Sequence, residues 1–199
     1  MRRWWGFWIR VFFWTKLRVI VNGGQRLWKR EPWADRSDLL RFDTPQELET
    51  YVRARFKWRA DATRVLGLLI PIDYVTNPRV VQSRLDQEGG GDGDCDDHHF
   101  WTASVLQLIP GVSWAHPLSC VWKGGGHTTC LYEYKGLIYL FNYRIGLMIE
   151  APSVKLAAQL AAQEVLKWHN DNLDEGEPKA EALKFWCLET TKHKLIATG

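Results

Sequence analysis

The chain is poor in cysteine. There are four in 199 residues, Cys95, Cys120, Cys130 and Cys187, at irregular spacing. That density excludes a disulfide-stapled scaffold and suits reduced thiols in an intracellular setting. No unbroken run of eighteen apolar residues occurs, which excludes a conventional membrane-spanning helix. There is no internal repeat and no low-complexity tract, and with 46% hydrophobic and 25% charged residues wholesale disorder is excluded as well. The length suffices for one compact domain with an appendage. Acidic residues are absent from residues 1–30, which hold eight Lys or Arg. Against a net charge of +3, the rest of the chain therefore sums to −5. Basic character belongs to an arm and not to the body. Tryptophan, in contrast, is abundant: twelve residues, six of them at or before Trp33.

The arm begins MRRWWGFWIRVFFWTKLRVIV. Arg2 and Arg3 precede an apolar stretch as in a secretory signal, but Arg10 interrupts it and no small-x-small cleavage site follows. On a helical wheel Arg2, Arg3, Gly6 and Arg10 share one sector, and Trp4, Trp5, Trp8 and Phe12 fall in the rest. Such a helix suits packing on the protein's own core or on a partner subunit, with a membrane surface as the alternative target of residues 1–21. Arginines interleaved with aromatics also suit nucleic acid, but no nucleic-acid motif accompanies them. Asn22-Gly23-Gly24 marks a turn, and the fold proper is expected from Phe42. The expected organisation is thus an arm over residues 1–41 and a domain over 42–199. The expected setting is cytoplasmic, either at a membrane or within a larger assembly.

Thr44, Pro45 and Glu47 form a helix start, with a capping residue, a proline at the first helical position and a capping-box acid. Leu48, Tyr51, Val52 and Phe56 follow at helical spacing. Residues 58–93 are broken by prolines and by the glycines at 89, 90, 91 and 93, with a short helix expected over Arg79–Leu85. A helix is expected from Asp96 to Leu108, with Cys95 at its start, ended by Pro110-Gly111. His127–Tyr134 and Leu137–Tyr143 read as strands joined by Lys135-Gly136. Val154–Trp168 reads as an alanine-rich helix, Asp171–Glu177 as an acidic loop, and Lys184–Ala197 as either helix or strand.

Cys95 carries the chemical interest. A helix N-terminus favours a thiolate, whereas Asp94, Asp96 and Asp97 oppose it, so an imidazole partner is needed. His127 follows Gly124-Gly125-Gly126 at the start of a strand. If Lys135-Gly136 is a two-residue hairpin loop, Tyr134 pairs with Leu137 and Thr129 falls opposite Asn142. His127 then shares a face with Asn142 as its diagonal neighbour. This yields a nucleophile, a base and an orienting amide, the set needed for acyl transfer. In such a site Cys130 is expected to face away from Cys95.

Gly93-Asp94-Cys95-Asp96-Asp97-His98 before a helix, Gly126-His127-Thr128 on a strand, and Phe141-Asn142-Tyr143 together resemble the transglutaminase-like superfamily, in particular its bacterial and phage cysteine-proteinase branch. Asp43-Thr44-Pro45, Phe56-Lys57-Trp58 and Ile72-Asp73-Tyr74 extend the resemblance to residues 42–149, about half the chain. It implies a papain-like α+β fold, with a nucleophile helix packed on an antiparallel sheet and a triad of Cys95, His127 and Asn142. It further implies peptide or isopeptide hydrolysis, or transamidation through the same thioester, on a protein or peptide substrate and without a cofactor. His99 stands where relatives carry alanine or serine, and Asn142 where many carry aspartate. Gln87 is a candidate oxyanion donor and His98 a candidate substrate contact.

Two other classes compete. Cys95-x2-His98 and His127-x2-Cys130 have zinc-ligand spacing, although the odd separation of His127 and Cys130 points them apart in a regular strand. A non-enzymatic assembly or membrane-associated scaffold with a papain-like fold is the other. Asp92, Asp94 and Asp96 mimic a calcium loop, which Asp97 and Ala103 at its sixth and twelfth positions exclude. Cys120, Cys130 and Cys187 read as small buried residues. His116 and His193 read as surface or loop positions, and His169 as a cation welcome at a helix end.

Overall fold

A computed structural model describes residues 36, 38–59, 63–65, 68–70, 77–122, 125–143, 146–173, 179–180, 183–189 and 194–199. The basic arm up to residue 35, the Ile72-Asp73-Tyr74 segment, His193 and most of the acidic loop lie outside the described residues.

Helix α1 (Pro45–Arg55) starts as its sequence dictates. Thr44 Oγ1 accepts from the Glu47 N–H at 3.2 Å, and Glu47 reaches back to the Asp43 N–H at 3.0 Å. Phe56, expected on the helix, instead turns extended (φ −84°, ψ 133°) and opens β1 (Phe56–Trp58). A small hairpin follows, β2 (Thr63–Val65) with β3 (Leu68–Ile70). Helix α2 (Pro78–Leu85) is capped by Asn77. Strand β4 (Gly91–Gly93) runs parallel to β1 and delivers the chain to helix α3 (Cys95–Leu106). The glycines here serve close packing. A Cβ at Gly90, whose φ is +81°, would stand 2.0 Å from the Arg55 carbonyl oxygen, and one at Gly91 would stand 2.5 Å from the Arg84 backbone.

The centre is a six-stranded antiparallel sheet in the order β10-β9-β5-β6-β7-β8. Its strands are β5 (Val112–Trp122), β6 (Gly125–Tyr134), β7 (Leu137–Phe141), β8 (Gly146–Ile149), β9 (Lys184–Glu189) and β10 (Lys194–Thr198). Helix α4 (Val154–Asp171) lies between β8 and β9 in the chain. Lys184–Glu189 and Lys194–Thr198 are therefore strands, the first favoured by the aromatic Phe185 and Trp186. Strand β5 was hidden in the sequence by Pro117. The ladder with β9 starts only at Leu118, so the N–H that Pro117 lacks is not missed on that side. His116, expected at the surface, is buried in β5 against Trp114, with ring centroids 5.0 Å apart.

Helices cover both faces of this α+β fold. Cys130, Tyr132 and Phe141 meet Leu48, Val52, Val81, Leu85, Trp101 and Val105 on one face. Leu118, Leu131 and Leu140 meet Ala157, Ala158, Ala161, Ala162 and Val165 of α4 on the other. The run of buried alanines lets α4 approach the sheet closely. Helix α3 is buried all round, which explains why its sequence shows no polar face. The packed structure starts upstream of Phe42. Leu39 is in the core, Gln82 bonds to Leu40 N and Asp38 O, and Arg36 bonds to Gln107. Among the described residues no helix is long and apolar enough to cross a membrane.

Candidate active site

Asp94 is the N-cap of α3, and its carboxylate accepts from the Asp96 and Asp97 N–H groups, both at 3.2 Å. That cap fixes Cys95 at the first helical position. Asp97 is fully buried and pairs with Arg84 of α2 at 3.4 Å, which ties the N-terminal end of α3 to its neighbour.

The hairpin turn is as the sequence reading requires. Lys135 and Gly136 both have positive φ, 53° and 80°, the signature of a two-residue type I′ loop. Tyr134 pairs with Leu137 and Cys130 with Phe141. The register carries Asn142 to His127, and their side chains meet at 2.7 Å through His127 Nε2 and Asn142 Oδ1. An amide oxygen only accepts, so Nε2 carries the proton and Nδ1 is the basic atom.

Strand β7 ends at Phe141, and among the described residues no strand pairs with Gly125–Thr129 of β6 on that side. Cys95 comes to this open edge, and the Thr128 backbone N–H is directed at its sulfur. This corrects the expected facing of Cys130. Cys130 points into the core against the body of α3, whereas Cys95 at the start of that helix meets β6 two residues earlier, at the Thr128 backbone. His127 and Asn142 sit toward α4, where Trp168 stacks on the imidazole at 5.6 Å and 29°. Asn170 exchanges two hydrogen bonds with the Ala180 backbone, at 2.8 and 3.0 Å, and so anchors the last turn of α4 that holds Trp168. His169 in the same turn packs on Trp122 at 4.4 Å.

Three further residues lie at His127. His99 donates from Nδ1 to the Cys95 carbonyl at 2.7 Å, and its ring lies 5.8 Å from that of His127. Tyr143 packs edge-on against His99 at 4.7 Å and tilts over His127 at 5.6 Å. Trp168 carried no signal at all, since nothing in the spacing of an alanine-rich helix links it to a hairpin histidine. His98, expected to contact substrate, is fully buried between Phe56 at 4.4 Å and Tyr143 at 4.9 Å and acts in packing. Gln87, the expected oxyanion donor, is exposed on the turn after α2, where its backbone carbonyl accepts from Arg55 and Gly90.

Burial sets the electrostatics. It pushes the Cys95 thiol up to about 12, and Asp96 and Asp94 add to the rise against the Thr128 N–H. It holds His127 below 6.5, opposed by the Asn142 hydrogen bond. The favourable helix end does not prevail: Cys95 rests as a thiol and His127 as a neutral imidazole. Burial also drives His98 down to about 3 and His99 well below 6.5, so both stay neutral. Cys95 is partly exposed, whereas Cys120, Cys130 and Cys187 are buried.

The zinc set of Cys95, His98, His127 and Cys130 does not converge. Among the described residues, the potential metal ligands that gather in a group of three or more are Asp94, Asp96 and Asp97, within 4.8 Å of one another. Capping and the Arg84 pair account for that cluster. No protein-family model matches the chain, and no curated protein or solved structure resembles it. The functional reading therefore stands on the geometry of these side chains.

Proposed function

We propose that the chain is a papain-like, transglutaminase-like thiol acyltransferase acting on amides of proteins or peptides. The observation that carries this reading is the 2.7 Å hydrogen bond from His127 Nε2 to Asn142, with Cys95 held at the adjacent edge of β6. The bond leaves Nδ1 of His127 as the base. Because thiol and imidazole are both neutral at rest, the proton moves as the sulfur attacks. Sγ bonds to the substrate carbonyl carbon, the C=O π pair moves onto oxygen, and the thiol proton passes to His127. Collapse re-forms C=O and breaks C–N, and the amine leaves with the proton from His127. Water, or a second amine, then attacks the thioester while His127 takes its proton, and the thiol is regenerated. Water gives hydrolysis and an amine gives transamidation.

Limiting iodoacetamide followed by peptide mapping tests the nucleophile. Cys95 is expected to label ahead of Cys120, Cys130 and Cys187, and His127→Ala is expected to remove most of that lead. Equal labelling of all four thiols in the native protein refutes the reading. Acetylation by p-nitrophenyl acetate that is lost in Cys95→Ser, with turnover raised by added methylamine, identifies acyl transfer to amines.

A further inference from the structure

An acyl-transfer site needs a donor for the oxygen that becomes negative in the tetrahedral intermediate, and Gln87 is too far out on its turn to serve. We infer that Tyr143 supplies it: its hydroxyl is the side-chain donor that, with the Cys95 backbone N–H, binds the oxyanion formed on attack by Cys95. This rests on the acyl-transfer reading and adds a catalytic residue to it.

Four observations converge on Tyr143. Its hydroxyl is buried and has no hydrogen-bond partner, a costly state that calls for an explanation. Its ring is fixed on the site by His99, His98, Phe56 and His127, at centroid distances of 4.7, 4.9, 5.6 and 5.6 Å. Its backbone is left-handed, φ +56°, an unfavourable region for an aromatic residue. That conformation, directly after Asn142, directs the ring onto α3 where a continuing strand would carry it onward. Lastly, Tyr143 lines a cavity of about 460 Å³ together with Val52, Arg53 and Phe56, which offers room for a substrate group beside the phenol ring.

The electrostatics fit the assignment. Burial, and after it the nearby Cys95, Asp94 and Asp96, push the pKa of the Tyr143 hydroxyl upward. The phenol therefore keeps its proton throughout the working range and stays a donor. The ring that carries this hydroxyl packs on His127 and on His99, whose Nδ1 donates to the Cys95 carbonyl, so the hydroxyl belongs to the surroundings of Cys95. In the resting protein the donor is unpaired, and it gains its partner only as charge develops. Such an interaction favours the transition state over the ground state. Of the other buried unpartnered donors, Trp101 Nε1 lies down the helix in the apolar core and cannot reach the sulfur.

The test compares two reagents on the full-length protein and on Tyr143→Phe. Iodoacetamide alkylates Cys95 without forming an oxyanion, whereas p-nitrophenyl acetate acylates it through one. The expected result is an iodoacetamide rate within about twofold of wild type and acetylation slower by on the order of 100-fold. Equal loss in both reactions, or in neither, overturns the assignment while leaving Cys95 as the nucleophile. Acetylation unaffected by Cys95→Ser overturns the acyl-transfer reading itself. Tyr143→Phe deletes a hydroxyl with no partner, so its melting temperature should equal or exceed that of wild type. A lower one shows that the hydroxyl is structurally bonded and also overturns the assignment.

Discussion

Replacing Asn142 with alanine isolates the contact on which the site depends. The bond from His127 Nε2 is 2.7 Å long and sits under Trp168. Its loss leaves a half-buried N–H unsatisfied, at about 1–3 kcal/mol. With tenfold in rate per 1.4 kcal/mol, acetylation of Cys95 by p-nitrophenyl acetate should slow about 5- to 150-fold. The pH profile gives a second readout with a definite sign. His127 acts unprotonated, so the rate rises with pH through its pKa, which burial holds below 6.5 and the Asn142 bond raises. In Asn142→Ala the acid limb should move to lower pH while the plateau falls. In Asn142→Asp a carboxylate favours the imidazolium, and the limb should move to higher pH. The assay is intact mass of the acetyl-protein in quenched samples across the acid and neutral range. Unchanged rates in both variants, or limbs that shift the same way, would refute the argument that Asn142 orients and tunes His127.

Trp168→Ala should solvate His127 and bring its pKa up toward 6.5, seen as an acid limb shifted upward together with a several-fold slower acetylation. An unshifted limb would show that the indole does not shield the imidazole. Stability should also depend on acid. His98 has a folded pKa of about 3 against 6.5 when unfolded, so the unfolded chain takes up its proton first as pH falls through 6.5. Stability present above that point is then lost at up to about 1.4 kcal/mol per pH unit for each such histidine, down to about 3 for His98. Denaturant midpoints at neutral pH and at about pH 5 measure it. The dependence should be weaker in His98→Phe, and an identical pH slope would show that His98 is protonated in the fold. For such work a truncated chain should keep Arg36 and Leu39, whose contacts with Gln107 and the core precede Phe42.

Local rules determined a large part of this protein from its sequence. The cap at Thr44, the two-residue turn at Lys135-Gly136 and the alternation along β6 and β7 act over a few residues, so they were legible. The turn alone set the register that joins His127 to Asn142, because a period of two leaves no freedom once the loop length is known. Tertiary structure decided what depends on neighbours distant in the chain. It made Gly91–Gly93 a strand by setting it parallel to β1, and it admitted Pro117 to a central strand by ending the β9 ladder beside it. It brought Cys95 to the open edge of β6, placed Trp168 and Tyr143 on His127, and removed His98 and Gln87 from the site. It also reversed the expected electrostatics of Cys95. A helix N-terminus is visible in a sequence, but the burial that outweighs it is a property of the packed chain.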